Sequence, residues 1–328
     1  MRKINSASPD TANSKSPEYY TLVANFFCCS LIFFSSIAFG QGKVVFRPIS
    51  RFPVISGIQF GYAKDDKSIF IRDKLNYYLY SFKANTWDKL NLTERLKEIP
   101  NGSIMSYVPS FDKVLTFTGK DQIEVLDAGS LQLTFLQIEG GFPKGSSRDV
   151  WQDKIYLFGG SIVFPGKAKE KAMEYSNKLL VFDPANLSFQ ELAPFPNQRF
   201  TDGIFVNGKL YTFGGYRDNM TFRDILRYDP EVNTWETLGL LPHGIKNYAI
   251  AAANEFIYLI GLHELSGFLG IYNTLTNQYS EYPTNLKLTK GAACVYDNKL
   301  FYFGGLDIDF PEMANNKLRV VDLSTLPK

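Results

Sequence analysis

Two arginine and aspartate pairings come nearest to chemistry in this chain: Arg148 directly before Asp149, and Arg199 three residues before Asp202. An arginine fork can hold a carboxylate or sulfate through two bonds, and a carboxyl beside it can serve as an acid or base. Lys246 and Lys290 stand in similar sequence surroundings. A second group consists of Arg72, Tyr216, Arg217 and His263, with the acidic stretch Asp307, Asp309 and Glu312. If loops bring both groups to one place, the result is either an anion clamp or a ring of solvated charges paired with nearby Asp.

Other chemistry lacks its residues. Only His243 and His263 are present, with three Cys, at 28, 29 and 294. There is no His-Glu-x-x-His, Gly-x-Ser-x-Gly or Cys-x-x-Cys, so zinc hydrolysis, a nucleophile elbow and thiol redox chemistry lose their usual support. No metal or other cofactor is expected. The stretch from Gly160 to Lys167 imitates a phosphate loop, but five residues separate Gly160 from Gly166, and Ala168 stands where a magnesium-binding hydroxyl would be needed. Lys and Arg total 35 against 33 Asp and Glu, a formal +2, which gives no reason to expect nucleic acid. With 45% hydrophobic and 21% charged residues among 328, the chain is a folding one, large enough for one extended β architecture.

Tyr19 to Gly42 carries no charge, and basic Arg2, Lys3 and Lys15 precede it. The small residues Ser36, Ala38 and Gly40 follow its apolar centre, which reads as a signal peptide over 1–40 cleaved near Gly40; a retained membrane anchor is the alternative. The expected location is therefore secreted, periplasmic or extracellular, with membrane contact only if the segment is kept. Residues 41–328 are read as a single domain.

That domain is one unit repeated. Lys209-Leu210-Tyr211-Thr212-Phe213-Gly214-Gly215 matches Lys154 to Gly160 and Lys299 to Gly305, with weaker copies ending at Asp73, Gly119 and Leu262. The intervals of 41 to 55 residues bracket the length of a four-stranded blade. Downstream, an aromatic pair recurs seven residues apart: Tyr228 and Trp235, Phe182 and Phe189, Tyr272 and Tyr279, Tyr80 and Trp87. Short apolar runs rich in Ile, Val, Tyr and Phe, bounded by Gly, Asn, Asp and Pro, read as strands. Segments of small residues before the Gly-Gly strands, such as Ala249 with Ala251 to Ala253, and Gly291 with Ala292 and Ala293, suit strands converging on an axis.

These residues closely resemble the kelch motif: a strand ending in Gly-Gly, a strand ending in Tyr-Asp-Pro, then a Trp strand. The resemblance implies an all-β, six-bladed kelch-type β-propeller. In the last blade the fourth strand is lacking downstream of Leu318 to Asp322, and Lys43 to Ile49 can complete it, leaving Pro48 on an outer edge. Galactose oxidase propellers are similar in their blades, but the copper centre implied by that likeness needs two His, two Tyr and a Cys joined to one Tyr. The exported sialic acid mutarotases are similar in architecture and leader only.

On such a fold the loops before the inner strands and those after the Gly-Gly strands share one face, which gathers Arg72, Arg148, Arg199, Asp202, Tyr216, Arg217, His263 and Lys290 around the axial mouth. Antiparallel pairing puts His243 and His263 at one end of the fifth blade. The longest insertion, Ser161 to Asn177, alternates Lys and Glu and serves as a lid or a protein-binding loop. The expected function is a non-catalytic binding module for a protein or a glycan, with Tyr216 and Phe268 as stacking platforms in the glycan case. The alternative is a sugar mutarotase or epimerase using Arg199 with Asp202, or Arg148 with Asp149. Four sequons, at Asn91, Asn101, Asn186 and Asn219, matter only in a eukaryotic host.

Overall fold

The structure, a computed structural model, describes residues 38–39, 42–51, 61–64, 67–73, 75–92, 96, 98–99, 103–118, 122–139, 141–163, 173–310 and 315–326. The leader, apart from residues 38–39, and the middle of the charged insertion lie outside them. So do Glu312, Asn101 and Gly119.

Residues 35–328 form one compact unit. It holds six blades of four antiparallel strands, spanning 61–89, 104–137, 147–191, 200–240, 249–283 and 288–322, the last taking Arg47–Arg51 as its fourth strand and the fifth gaining Ala38–Phe39 as a parallel fifth strand. Each blade is a meander that local signals can direct. In blades three, four and six the first hairpin turns on a residue pair with positive φ: Gln152 and Asp153, Asn207 and Gly208, Asp297 and Asn298. Such turns match the right-handed twist of the strands they join.

The core is divided among the blade interfaces. Six buried clusters each join two neighbouring blades, and the ring closes where Ile69, Ile71 and Tyr80 of the first blade meet Cys294, Phe301 and Leu318 of the sixth. The aromatics of the repeat fill the widening space between sheets: Tyr228 and Trp235 have ring centroids 5.1 Å apart, Tyr80 and Trp87 4.9 Å, and Phe182 and Phe189 4.9 Å.

The paired glycines make room for backbone. Gly214 and Gly215 have φ of 49° and 101°, and a Cβ on Gly215 would collide with the carbonyl oxygen of Phe200 on the strand that enters the same blade. Only glycine combines that conformation with that approach. In blades three, four and six such a pair sits where the second strand leaves the blade, at the end where the mouth forms.

The amino-terminal strand differs in register from the sequence expectation. Arg47 to Arg51 pairs with the third strand Lys317–Asp322 through a bulge between Pro48 and Ser50. Residues before it belong to the neighbouring blade: Val44 bridges Thr284 in parallel, and the side chain of Asn285 bonds both the N–H (2.8 Å) and the C=O (3.1 Å) of Phe46. Phe46 is buried in the core between blades five and six. One short segment therefore fastens two blades.

Candidate functional site at the axial mouth

Among the described residues, the inner strands of blades two to six line a cavity of about 600 Å³, with Arg148, Asp149, Asp202 and Lys290 as its charged groups. A smaller recess of about 190 Å³ shares Ser147, Arg148, Asp202, Asn247 and Tyr248 with it and adds Phe200 and Tyr216. Of the eight residues expected at the mouth, the structure brings together Arg148, Asp202, Tyr216 and Lys290, and adds Asp149.

Side chains on or just before the first strands of blades three, five and six reach across to neighbouring parts of the ring. Arg148 Nε donates to the Met105 carbonyl at 2.9 Å, and the Ser147 hydroxyl donates to Asp202 Oδ1 at 2.9 Å. Asp149 Oδ2 accepts from the Phe205 N–H at 2.5 Å. The Tyr248 hydroxyl donates to the Asp202 and Phe213 carbonyls at 2.9 and 2.5 Å. Thr289 Oγ1 and the Lys290 N–H both reach the Asn247 carbonyl, at 3.1 and 2.8 Å. These contacts hold the cavity wall in a fixed shape, so its polar groups do not have to be ordered when something binds.

Burial changes two of the carboxyls. It lifts Asp149 to about 6 against the opposing pull of the Phe205 and Val150 N–H groups and Arg148. It also raises Asp202 against the Ser147 hydroxyl and Arg148. Both acids are within the cavity lining, so the mouth pairs cations with carboxyls that protonate more readily than usual.

Arg72 and Arg199 are not mouth residues, which corrects the expectation from sequence. Each is fully buried and engaged by a carboxylate. Arg72 bonds Glu124 through Nε at 2.9 Å and Nη2 at 3.0 Å, and the Tyr77 hydroxyl donates to the same carboxylate at 3.1 Å. Arg199 bonds Asp224 through Nη1 and Nη2, each at 2.5 Å, and donates to the Gly214 carbonyl at 2.8 Å. Phe195 and Phe222 sandwich the Arg199 guanidinium, with centroids at 4.7 and 4.2 Å. A guanidinium removed from water must find its partners inside, and both have a carboxylate, although the buried Arg199 Nε has no hydrogen-bond partner among the described residues. The Arg199 with Asp202 acid and base pairing is therefore not formed.

The remaining candidates, and Tyr216 of the smaller recess, lie at the same end outside the larger cavity. Tyr216 is half-buried and stacks on Phe200 at 5.2 Å, so one of its faces is covered. Arg217 is half-buried on the second hairpin of blade four. His263 stacks on His243 at 3.6 Å, confirming that the two histidines meet at one end of blade five. Neither is an exposed loop side chain, because His243 Nε2 contacts both oxygens of Glu281 at 3.0 Å and Tyr279 donates to Glu281 at 2.7 Å. Burial opposes the His243 imidazolium, but Glu281 outweighs it and holds His243 above its ordinary 6.5. Phe268 is 3% exposed and packs against Gly261, so it offers no stacking platform. Asp309 is paired with Lys287 at 2.8 Å. Among the described residues no three His, Cys, Asp or Glu side chains converge as a metal centre would require.

Sequence reasoning missed Tyr248, Glu281, Glu124 and Asp224. Nothing in their local pattern marks them, since each finds its partner through packing between strands or blades.

The kelch motif model matches residues 203–239, the segment that runs from Gly203 through Gly215 and Tyr228 to Trp235. The chain is a kelch-repeat propeller. A kelch domain-containing protein of Pyrococcus furiosus is 27% identical over 176 residues, covering 49% of this chain and 53% of that one. The bovine kelch domain-containing protein 3 is 24% identical over 58% of this chain and 57% of its own. Human kelch-like protein 23 is 28% identical over 30% of this chain and 16% of its own. The kelch propeller thus aligns with only about half, or less, of the length of these relatives.

Proposed function

We propose that this kelch propeller is an exported, non-catalytic binding module whose partner is a protein held at the mouth end. The observation that carries this reading is an arc of exposed apolar side chains on blades four, five, six and one beside the charged mouth. At the hairpins joining second to third strands, Leu75 is 58% exposed, Met220 54%, Leu265 73% and Phe310 61%. Leu265 also has a φ of 67°, an uncommon conformation for a bulky residue, which presents it outward from the tip. Polar centre and apolar rim together suit a protein surface better than a small sugar, which would leave the rim in water. Arg148 and Lys290 would take a carboxylate of the partner, with bidentate contact at the arginine.

The test compares capture from the exported fraction by the full chain and by the Leu265→Ser/Phe310→Ser and Arg148→Ala variants. A partner lost by both variants supports the reading, and one retained by both sinks it. A second reading, a sugar mutarotase or epimerase, is favoured by one observation, the readily protonated Asp149 next to Arg148 within the cavity. Under that reading a sugar shifts the melting temperature of the tip variant but not of Asp149→Asn, and Asp149→Asn loses turnover. A glycan binder without catalysis shows the shift and no turnover.

A further inference from the structure

Away from the mouth, the segment that closes the sixth blade carries a feature that neither fold nor mouth explains. Lys43 to Arg51 reads Lys-Val-Val-Phe-Arg-Pro-Ile-Ser-Arg, with three cations and no acid. Val44 and Phe46 are buried, whereas Lys43, Arg47 and Arg51 are exposed, and between them Val45 is 48% and Ile49 40% exposed. The neighbouring strand adds more positive charge, because Arg51 pairs with Lys317 and Pro48 with Arg319.

Beside this edge lies a cavity of about 580 Å³. Its cations are Lys43, Arg47 and Lys299, and its apolar wall includes Val44, Val45, Val320, Val321 and Leu326. The one acid among the described residues lining it is Asp322, whose carboxylate accepts from the N–H and hydroxyl of Ser324 at 2.9 and 2.6 Å. Lys299 also contacts Asp297 at 3.2 Å. Charge and proline on an outer strand guard against edge-to-edge pairing, which accounts for Pro48 and one or two of the arginines. It does not account for an apolar recess ringed by cations.

We infer that this edge is a docking surface for an anionic phospholipid bilayer, the recess receiving a headgroup while Val45 and Ile49 enter the interface. Charge and apolar exposure alternate as an interfacial contact requires, since cations alone bind weakly and apolar residues alone do not select lipid. The uncharged run from Tyr19 ends at Gly42, one residue before Lys43, so the basic edge adjoins the most apolar part of the sequence. The surface is independent of the mouth and of what the mouth binds.

The test is sedimentation of the full chain with vesicles of phosphatidylcholine alone or mixed with phosphatidylglycerol, at low and high salt. An apolar leader, where present, binds both vesicles alike, so the readout is the preference for phosphatidylglycerol. Each cation near the surface contributes about five-fold to that preference. The Lys43→Gln/Arg47→Gln/Arg51→Gln variant is expected to lose on the order of a hundred-fold of it. The Lys113→Gln/Lys154→Gln/Lys178→Gln variant, equal in charge but altered on blades two and three, is expected to keep it. High salt erases the preference in the unaltered chain, a control that does not depend on any variant folding. Equal binding to both vesicles, or equal loss in the two variants, overturns the inference. Binding to dextran sulfate without binding to phosphatidylglycerol overturns it in favour of an acidic polysaccharide.

Discussion

The Tyr228 hydroxyl donates to Oδ1 of Asn233 at 2.7 Å, across a turn in which Asn233 is left-handed with φ of 54°. The same bond joins Tyr80 to Asn85 at 2.6 Å and Tyr272 to Asn277 at 2.7 Å. Where blades two and three have Leu126 or Phe182 in place of the tyrosine, the residue five positions on is Leu131 or Leu187, still left-handed. Hydroxyl and amide are present together or replaced together, because either alone would be a polar group without its partner. Asn233 Oδ1 also accepts from the Ala193 N–H at 2.7 Å, tying blade four to the chain leaving blade three.

Asn233→Leu should therefore cost about 2 to 3 kcal/mol in denaturant unfolding, from an unpaired buried hydroxyl and a leucine in the left-handed region. Combining it with Tyr228→Phe should restore part of that loss. Additive losses in the double variant would show that the two residues are not coupled.

Arg199→Ala leaves Asp224 without its partner inside the protein and should destabilise it by about 3 to 5 kcal/mol. Because Arg199 braces the fold and does not face the cavity, the fraction still folded should bind mouth ligands with unchanged affinity. Arg148→Ala should do the reverse, weakening ligand binding with a small change in stability.

Asp149 imposes a pH dependence of definite sign. Its carboxyl titrates at about 6 in the folded protein against an ordinary 3.8, so the folded state holds the extra proton between those values. Stability should fall as pH rises through that window, and Asp149→Asn, which still offers an oxygen to the Phe205 N–H, should flatten the slope. An unchanged slope in chemical denaturation followed across the window would place the titrating group elsewhere.

His243 and Glu281 act in the complementary directions. Raised above 6.5, His243 contributes stability that is full below that value and is lost as pH rises through its folded pKa. Glu281, held below its usual 4.5 because His243 and Tyr279 outweigh burial, contributes stability that is lost as pH falls. Their pair is best formed between about 4.5 and 6.5, and His243→Gln should remove the decline above 6.5 in thermal melts.

Phe46→Ala should cost about 3 to 5 kcal/mol, as for a phenyl ring deleted from a packed core, and Asn285→Ala should cost less. Removing residues 43–49 should lower the melting temperature more than either, since it takes away the bridge to blade five together with part of the outer strand of blade six. A melting curve unmoved by that deletion would refute this role.

The sequence by itself determined the repeating blade. Alternating apolar strands, turn residues and the aromatic pair seven positions apart are local signals, and Gly214-Gly215 and its copies mark the close approach that creates the mouth. It also marked Arg148, Asp202, Tyr216 and Lys290 as neighbours, because a propeller brings equivalent loops to one end. Tertiary structure alone decided which charges face the cavity. Arg72 ends a second strand and Arg199 precedes a first strand at the same end of the blades as Arg148, but Glu124 and Asp224, 52 and 25 residues further along the chain, draw them into the protein. A guanidinium goes where its desolvation is compensated, and the compensating carboxylate is set by packing between strands, which no local pattern records.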